Sequence, residues 1–404
     1  MKKNRIAIAG GGIAGLTSAL FLAKQGFSVD IFEASPVLSE VGAGLQLSPN
    51  ACHCLAEIGL LGKLEEVATK PEGIMMMSGR SGKPLTTIPL GEAARQRYDA
   101  PYLVIHRADL QSVLREAAEE NPSITLALGS SVENIRETDS ELFIKLGTEE
   151  EEKGAYSLLI GADGVWSSIR TNVLDLSPAV HSGRVAYRAT IPAKGLGKKY
   201  LVNTGLWLGD KAHVVHYPVQ NGKALNIVVL TVENWTAKDW SHPADRAQVL
   251  EVLKAWPDDV RSLVNKATNW TRWALCGVIP GEPLVKGRVA LVGDAAHAML
   301  PFMAQGAAMG IEDAAVLASH IQELGPEPDA LIAYQTERQP RVNKVAQTAL
   351  RNEKIYHQRM PASLARDMVL KNMPADKLLA GFDWIYEWKP QTKARTCAHN
   401  GENK

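Results

Sequence analysis

Two distant stretches carry residue types that could hold one long ligand. The first is Gly10-Gly11-Gly12-Ile13-Ala14-Gly15, a G-x-G-x-x-G turn. Ile6 to Ala9 before it reads as a short buried strand, Ala14 to Gln25 as an apolar helix closed by Gly26, and Val29 to Glu33 as the next strand. This βαβ unit ends in an acid 18 residues past Gly15, the order expected of a dinucleotide site. Gly10 permits the tight turn, Gly12 lets the backbone approach a pyrophosphate, and Gly15 lets the helix pack close to the strand. The helix start at Ile13 and Ala14 presents unpaired N–H groups and partial positive charge to phosphates. Glu33 is placed to accept both hydroxyls of an adenine ribose, which argues against a 2′-phosphorylated dinucleotide. A glycine-rich loop used only for packing is the competing reading.

The second stretch runs from Gly287 through Gly293-Asp294 to His297, followed by Pro301 and Gln305-Gly306-Ala307. Arg288 to Val292 reads as a buried strand, so Asp294 emerges at a strand's carboxyl end, where open α/β sheets bind ligands. Alone it would read as a turn-capping acid. Paired with the first turn, it suits the other end of a two-headed cofactor. Gly306-Ala307 then open a helix whose N–H groups could stabilise an anion. Arg107 begins a helix over about 108–119, the end that repels cations. Either an anion such as a pyrophosphate stands before it, or an acid such as Asp109 pairs with it. In the run His213 to Pro218, period two puts His213, Val215 and Tyr217 on one strand face and His216 on the other. A strand histidine is more often simply hydrogen-bonded than catalytic, and Tyr217 could serve packing alone. Cys52 and Cys54, two apart on a helix, do not converge on a metal.

The elements that must position these residues come from an ordinary soluble composition: 404 residues, 46% hydrophobic and 22% charged, enough for two or three domains. Basic and acidic residues both total 44, so no net field favours nucleic acid or an anionic membrane. Four cysteines make no disulfide framework, and a reducing compartment is the default. Lys2, Lys3 and Arg5 before the uncharged run Ile6 to Ala23 mimic a signal peptide, but the glycines interrupt it and no small-residue cleavage site follows. The expectation is a cytoplasmic monomer or homodimer with no stable membrane association. Ser48 caps a helix with Pro49 in its first turn, ended by Gly59. Strands Glu141 to Leu146 and Ser157 to Ile160 flank a polar link whose acid run, Glu149 to Glu152, reads as a solvated loop. From Gly183 to about Trp235 the alternation predicts a largely antiparallel sheet, and Met75 to Met77 read as strand core. Helical periodicity covers Ala244 to Trp256, Ile311 to about Leu324, and Asp329 to about Met360. The tail after Pro390 is polar.

These motifs carry a resemblance. The glycine turn with Glu33, His106-Arg107-Ala108-Asp109-Leu110, Gly161-Ala162-Asp163-Gly164 with Ser167, Ser168 and Arg170, and the run from Gly293-Asp294 through Glu312-Asp313-Ala314 occur in that order. Together they resemble the single-component flavoprotein aromatic hydroxylases of the p-hydroxybenzoate hydroxylase fold, over about residues 4–355. Within them the chain looks most similar to the salicylate hydroxylase and 3-hydroxybenzoate 6-hydroxylase branch. The resemblance implies an α/β fold: a Rossmann-like FAD-binding domain (1–175 and 276–325), an inserted, mainly antiparallel β-sheet substrate domain (176–275), C-terminal helices (326–390) and a polar tail (391–404). It implies that Arg107 and Val132 contact FAD, as do Gly10, Gly12, Ile13, Ala14, Gly15, Glu33, Pro301, Gly306 and Ala307. Asp163 would serve both FAD and the nicotinamide cofactor, Asp294 would hold the ribityl chain, and Gln305 would sit beside the isoalloxazine. His213 and Tyr217 would line the substrate pocket.

The reaction so implied hydroxylates a small phenolic acid with dioxygen. NADH or NADPH, as transient co-substrate, reduces the FAD, and a flavin C4a-hydroperoxide transfers OH to the ring. A free phenol titrates near ~10, like Tyr, so a base is needed. His213 takes that role, assisted by Gln305 or Tyr217. The site must be dry, with Ala298, Met299, Leu300, Phe302 and Met303 as walls. No second G-x-G-x-x-G is present, since Gly195-Leu196-Gly197 lacks its third glycine. The nicotinamide cofactor therefore has no domain of its own. An FAD-dependent epoxidase or dehydrogenase of the same fold would share Glu33 and Asp294 but have no use for a phenol-activating histidine. A non-catalytic FAD-binding regulator is the remaining alternative. No arginine is placed well enough to be named the anchor of a substrate carboxylate; Arg188 is a guess.

Overall fold

A computed structural model of the chain describes residues 4–38, 44–147, 151–235 and 239–391. Glu149 and Glu150 of the acid run and the tail beyond Gln391 lie outside the described residues.

Short Ile/Val/Leu-rich runs, buried on both faces, form a six-stranded sheet in the order Val285–Lys286, Val289–Leu291, Leu158–Gly161, Arg5–Ala9, Ser28–Glu33, Ile124–Leu128. All its pairings are parallel except that of the edge strand Val285–Lys286. Three central strands therefore deliver the turns Gly10–Gly12, Ala162–Gly164 and Gly293-Asp294 to one end of the sheet. Helix Ile13–Lys24 packs against both Arg107–Glu119 and Gly306–Leu324. The first turn is too tight for side chains. Gly10 lies at φ +106°, where an added Cβ would stand 2.3 Å from the Ala162 carbonyl oxygen, and a Cβ on Gly15 would stand 2.0 Å from that of Gly10.

An eight-stranded sheet lies over that end. Its order is Ser241–Ala244, Trp270–Gly277, Val180–Pro192, Ala224–Val232, Ala212–Val219, Thr204–Gly209, Gly73–Ser78, Pro84–Pro89. All neighbours are antiparallel except Thr204–Gly209 with Gly73–Ser78. The last two strands come from within the stretch 1–175, so the two sheets are interleaved in sequence. Alternation sorts the side chains by face. Val185, Tyr187, Val214, Ile227 and Val229 enter an outer core with Val249, Val260 and Leu263, supplied by helices Arg246–Val252 and Asp258–Asn265. Ala186, Tyr217, Val228 and Leu230 belong to the main core on the other side.

Several local expectations differ from the structure. The polar link between Leu142–Leu146 and Leu158–Gly161 contains a further strand, Glu152–Tyr156, paired antiparallel with Leu142–Leu146. Val132–Glu137 completes that three-stranded sheet. Ala244 to Trp256 is not one helix: a strand ends at Ala244, and Asp245 and Gln248 form a capping box that starts a helix only at Arg246. Ser48 stands at a helix N-cap, but its hydroxyl makes no capping bond and instead donates to Asn50 Oδ1 at 2.6 Å.

A buried ionic network ties these layers together. Adjacent acids Glu312 and Asp313 on helix Gly306–Leu324 are fully buried. Arg338 of helix Pro328–Tyr356 reaches Asp313 at 2.7 Å and also binds Glu312, which Arg341 holds at 2.7 Å. Asn50 donates to Glu312 at 2.6 Å, and Asp313 accepts the Gly293 N–H at 2.9 Å. Burial alone would raise the Asp313 carboxyl, yet His297 and Arg338 hold it at about 2. Removing one partner of such a pair leaves a buried charge uncompensated, at about 3–5 kcal/mol. Arg338→Met is expected to lower the unfolding free energy by that order in urea titrations. A loss within about 1 kcal/mol, the scale of an exposed pair, would mean that the network is not the tie described.

Candidate active site

The end of the parallel sheet and the inner face of the eight-stranded sheet enclose a cavity of about 320 Å³. Gly12, Ile13 and Ala14 line it from the start of one helix, and Gly306, Ala307 and Gly310 from the start of another. Asp294 and Pro301 stand between them, and both are exposed to the cavity side. Opposite lie His213, Val215, Tyr217, Val228, Leu230 and Arg188. Arg107, the first residue of helix Arg107–Glu119, also lines the cavity.

The floor fits an FAD. Both helices begin without a side-chain cap and without an acid in the first turn, so their leading N–H groups and positive dipole ends face the cavity unmet by a side chain. A Cβ on Gly12 would meet no protein atom within 4 Å, which leaves room for a phosphate against the backbone. Glu33 accepts the N–H of Gly11 at 2.6 Å and that of Ser35 at 2.8 Å, fixing its carboxylate beside the turn with lone pairs left for ribose hydroxyls. Val132 is not among the cavity residues. It opens the strand Val132–Glu137, two residues past Ser130, whose N–H binds the Glu33 carbonyl.

Two expected contacts take other roles. The carboxylate of Asp163 accepts bonds from Ser167, Ser168 and the Ile169 N–H, while only its neighbours Ala162 and Gly164 line the cavity. Its carboxylate thus braces the motif, whose backbone is what faces the cavity. The same motif aims Arg170 at the carbonyls of Ala295 and Ala296, both at 3.3 Å, which steadies the turn bearing Asp294. Gln305, expected beside the flavin ring, is buried with its side chain turned away from the cavity. It donates to Ser48 at 2.9 Å and accepts from Asn50 at 3.2 Å, joining the ionic network through Glu312. In this arrangement Gln305 positions the helix start.

The roof brings His213 and Tyr217 onto one face as alternation required, while His216 packs against Tyr200 on the other. Tyr217 donates its hydroxyl to the Gly44 carbonyl. His213 Nδ1 lies 2.9 Å from Nε2 of His357, at the end of helix Pro328–Tyr356. His357 was not foreseen, because nothing near it in sequence marks it. Phe302 backs the His213 ring at a centroid distance of 5.2 Å and does not itself line the cavity. Of the expected walls only Met299 does so, while Ala298 and Leu300 line a neighbouring, mostly apolar groove.

Such a floor and roof suit a dinucleotide-like cofactor lying beneath a substrate chamber. The FAD binding domain family matches residues 3–349, and the chain belongs to that family. It is 35% identical over 389 residues to 3-hydroxybenzoate 6-hydroxylase 1 of Aquipseudomonas alcaligenes, covering 95% of this chain and 97% of that one. It is 33% identical over 350 residues to 6-hydroxynicotinate 3-monooxygenase of Pseudomonas fluorescens, covering 84% and 89%. A solved structure of salicylate hydroxylase with its substrate superposes with a TM-score of 0.82 at 25% identity, covering 97% and 99%. The chain is an FAD-dependent monooxygenase drawing on NAD(P)H, and the α/β fold with its inserted antiparallel sheet is as the motifs implied. No helix among the described residues is long and apolar enough to cross a membrane.

Burial also sets the charge of the roof. His213 is held well below its ordinary 6.5 by desolvation and then by His357, and desolvation with Lys199 lowers His216 to about 3. Both are uncharged in the folded protein at neutral pH but take up a proton on unfolding once the pH is below 6.5. Folding stability is therefore intact above that value and lost as the pH falls toward the native pKa values. Two such groups contribute a slope of about 3 kcal/mol per pH unit. Urea midpoints are expected to fall steadily between pH 6.5 and roughly pH 5, and His216→Gln to halve the slope attributable to this pair. A flat profile across that window would mean that the buried histidines are already protonated in the fold.

Proposed function

We propose that this monooxygenase hydroxylates a phenolic aromatic acid, as the names of its relatives say of them. We place the reaction in the cytoplasm, with NADH or NADPH as transient co-substrate. The observation that carries the reading is a buried histidine on the roof, in contact with a second histidine and set across the cavity from Asp294 and the Gly306 helix start. Bound along the two helix starts, FAD supplies hydride acceptance from the nicotinamide and an electrophilic oxygen derived from dioxygen. The residues of the chain supply the rest.

With Nδ1 engaged by His357, Nε2 is the His213 nitrogen left for substrate. For Nε2 to accept the phenolic proton, Nδ1–H must be the donor to His357 Nε2, which is the tautomer this reading requires of the pair. Full proton transfer from a phenol near ~10 to an imidazole below ~6.5 is uphill by about 5 kcal/mol or more. The proton therefore moves as the ring is attacked, when positive charge develops on it, and not beforehand. Tyr217 is held well above its ordinary range by burial, with Arg188 acting the other way. It stays protonated, and with its hydrogen on Gly44 it offers the substrate a lone pair.

General-base assistance is typically worth about 10² to 10⁴ in rate. His213→Ala is expected to slow hydroxylation by that factor in rapid-mixing assays, leave flavin reduction by NAD(P)H unchanged, and divert oxygen to hydrogen peroxide. Equal loss in both half-reactions would remove His213 from the chemistry.

A further inference from the structure

We infer that Arg188 is the carboxylate anchor of the substrate site, an assignment that rests on the phenolic-acid reading above. Arg188 lies on strand Val180–Pro192 and pairs with Val228, which pairs in turn with Val215. His213 is across from Leu230 and Ala186, two residues along from Arg188. All six side chains fall on one face of the sheet by parity. Strand spacing and rise put the Cα atoms of Arg188 and His213 about 12 Å apart, along a diagonal of the roof. Both side chains line the same cavity. Between an imidazole and a guanidinium reaching inward from those positions there is room for one ring bearing a hydroxyl at one end and a carboxylate at the other.

The surroundings of Arg188 ask for an anion. Arg170, Arg288 and Arg338 are buried, and each holds a carboxylate: Glu282, Glu327, and Glu312 with Asp313. Arg188 has no such partner among the described residues. Its Nε is buried without a hydrogen-bond acceptor, and its guanidinium carbon stands 5.7 Å from the Trp273 ring centre. Burial lowers its pKa, Tyr217 raises it, and the nearby cation of Arg107 lowers it further. A part-buried cation facing a second cation, with no acid beside it, is better accommodated once an anion enters. Arg107, at a helix start on the same cavity, is the cation for the cofactor phosphates. That leaves Arg188, on the roof beside Tyr217, for the carboxylate of the ring.

The test uses the FAD-loaded enzyme, a panel of hydroxybenzoates, and the matching hydroxybenzamides, with binding followed by calorimetry and turnover by product mass. For the best-bound acid, Arg188→Gln is expected to raise Kd on the order of 100-fold, as for loss of one partner of a buried charged pair. Binding of the corresponding amide should change little. Arg188→Lys should recover part of the affinity, and FAD retention should match wild type in both variants. Equal weakening of acid and amide would overturn the assignment, as would loss of FAD with the preference for acids preserved. If the wild type itself binds and hydroxylates none of the acids, the phenolic-acid reading falls and this inference with it. If the wild type prefers an acid and Arg188→Gln keeps that preference, the inference falls alone.

Discussion

The arrangement depends on two carboxylates that ought to be expensive. Glu312 and Asp313 are adjacent, fully buried and each bonded to an arginine, a combination that desolvation opposes. Two arginines from a single helix offset that penalty, and the geometry leaves little slack. The fork of Arg338 spans both acids, while Arg341 closes on Glu312 alone. A pair of this kind contributes more to register than to net stability. Here the register that matters is the start of helix Gly306–Leu324. Asp313 grips the turn at Gly293 and Glu312 grips Asn50, which with Ser48 holds Gln305 at the helix N-cap. The uncapped N–H groups that face a flavin are thus fixed from behind.

The other end of the cofactor site is held by close packing. The tight contacts between the Gly10 turn and Ala162 leave the first helix only one position over the sheet. Arg170 then links the turn after Leu158–Gly161 to the carbonyls beside Asp294. Three segments far apart in the chain are brought to one cavity by sterics on one side and ion pairing on the other.

Some of this was legible in the residues and some was not, for physical reasons. The glycine turn, Glu33 and Asp294 could be read because their tasks are local: steric room at a turn, and a position at the end of a parallel strand. The shared face of His213 and Tyr217 follows from pleat parity, and the sheet obeys it. Asp163, Gln305 and Ser48 could be located but not assigned. Each carries a short polar side chain that bonds whatever stands nearest, and that partner comes from elsewhere in the chain or from a turn of unusual shape. Asp163 finds the Ile169–Val173 segment, a π-helical turn with no sequence signature. His357 could not be seen because its only argument is proximity to His213 across 144 positions of sequence. The strand Trp270–Gly277 was missed because Arg272 and two tryptophans interrupt its alternation: Arg272 lies over Trp235 and Trp273 meets Trp240 edge-on at the sheet margin, while Trp270 enters the outer core.

Burial does two opposed things at His213. It keeps water off the imidazole itself, where a reactive oxygen would need protection, and it weakens the imidazole as a base by disfavouring the charged form. A stronger base in a wetter site would hold the phenol as its anion but would also let water quench the oxygen donor. The structure takes the first side of this trade. The imidazole is dry and neutral, and His357 fixes its orientation without lending it charge, since burial lowers His357 to about 4. If His213 is the base proposed above, proton acceptance must be timed by the reaction itself, because only a ring under attack becomes acidic enough to give its proton to so weak a base. On that proposal the timing favours hydroxylation over premature deprotonation, since the histidine would act on a ring already held opposite the flavin and be nearly inert toward anything else.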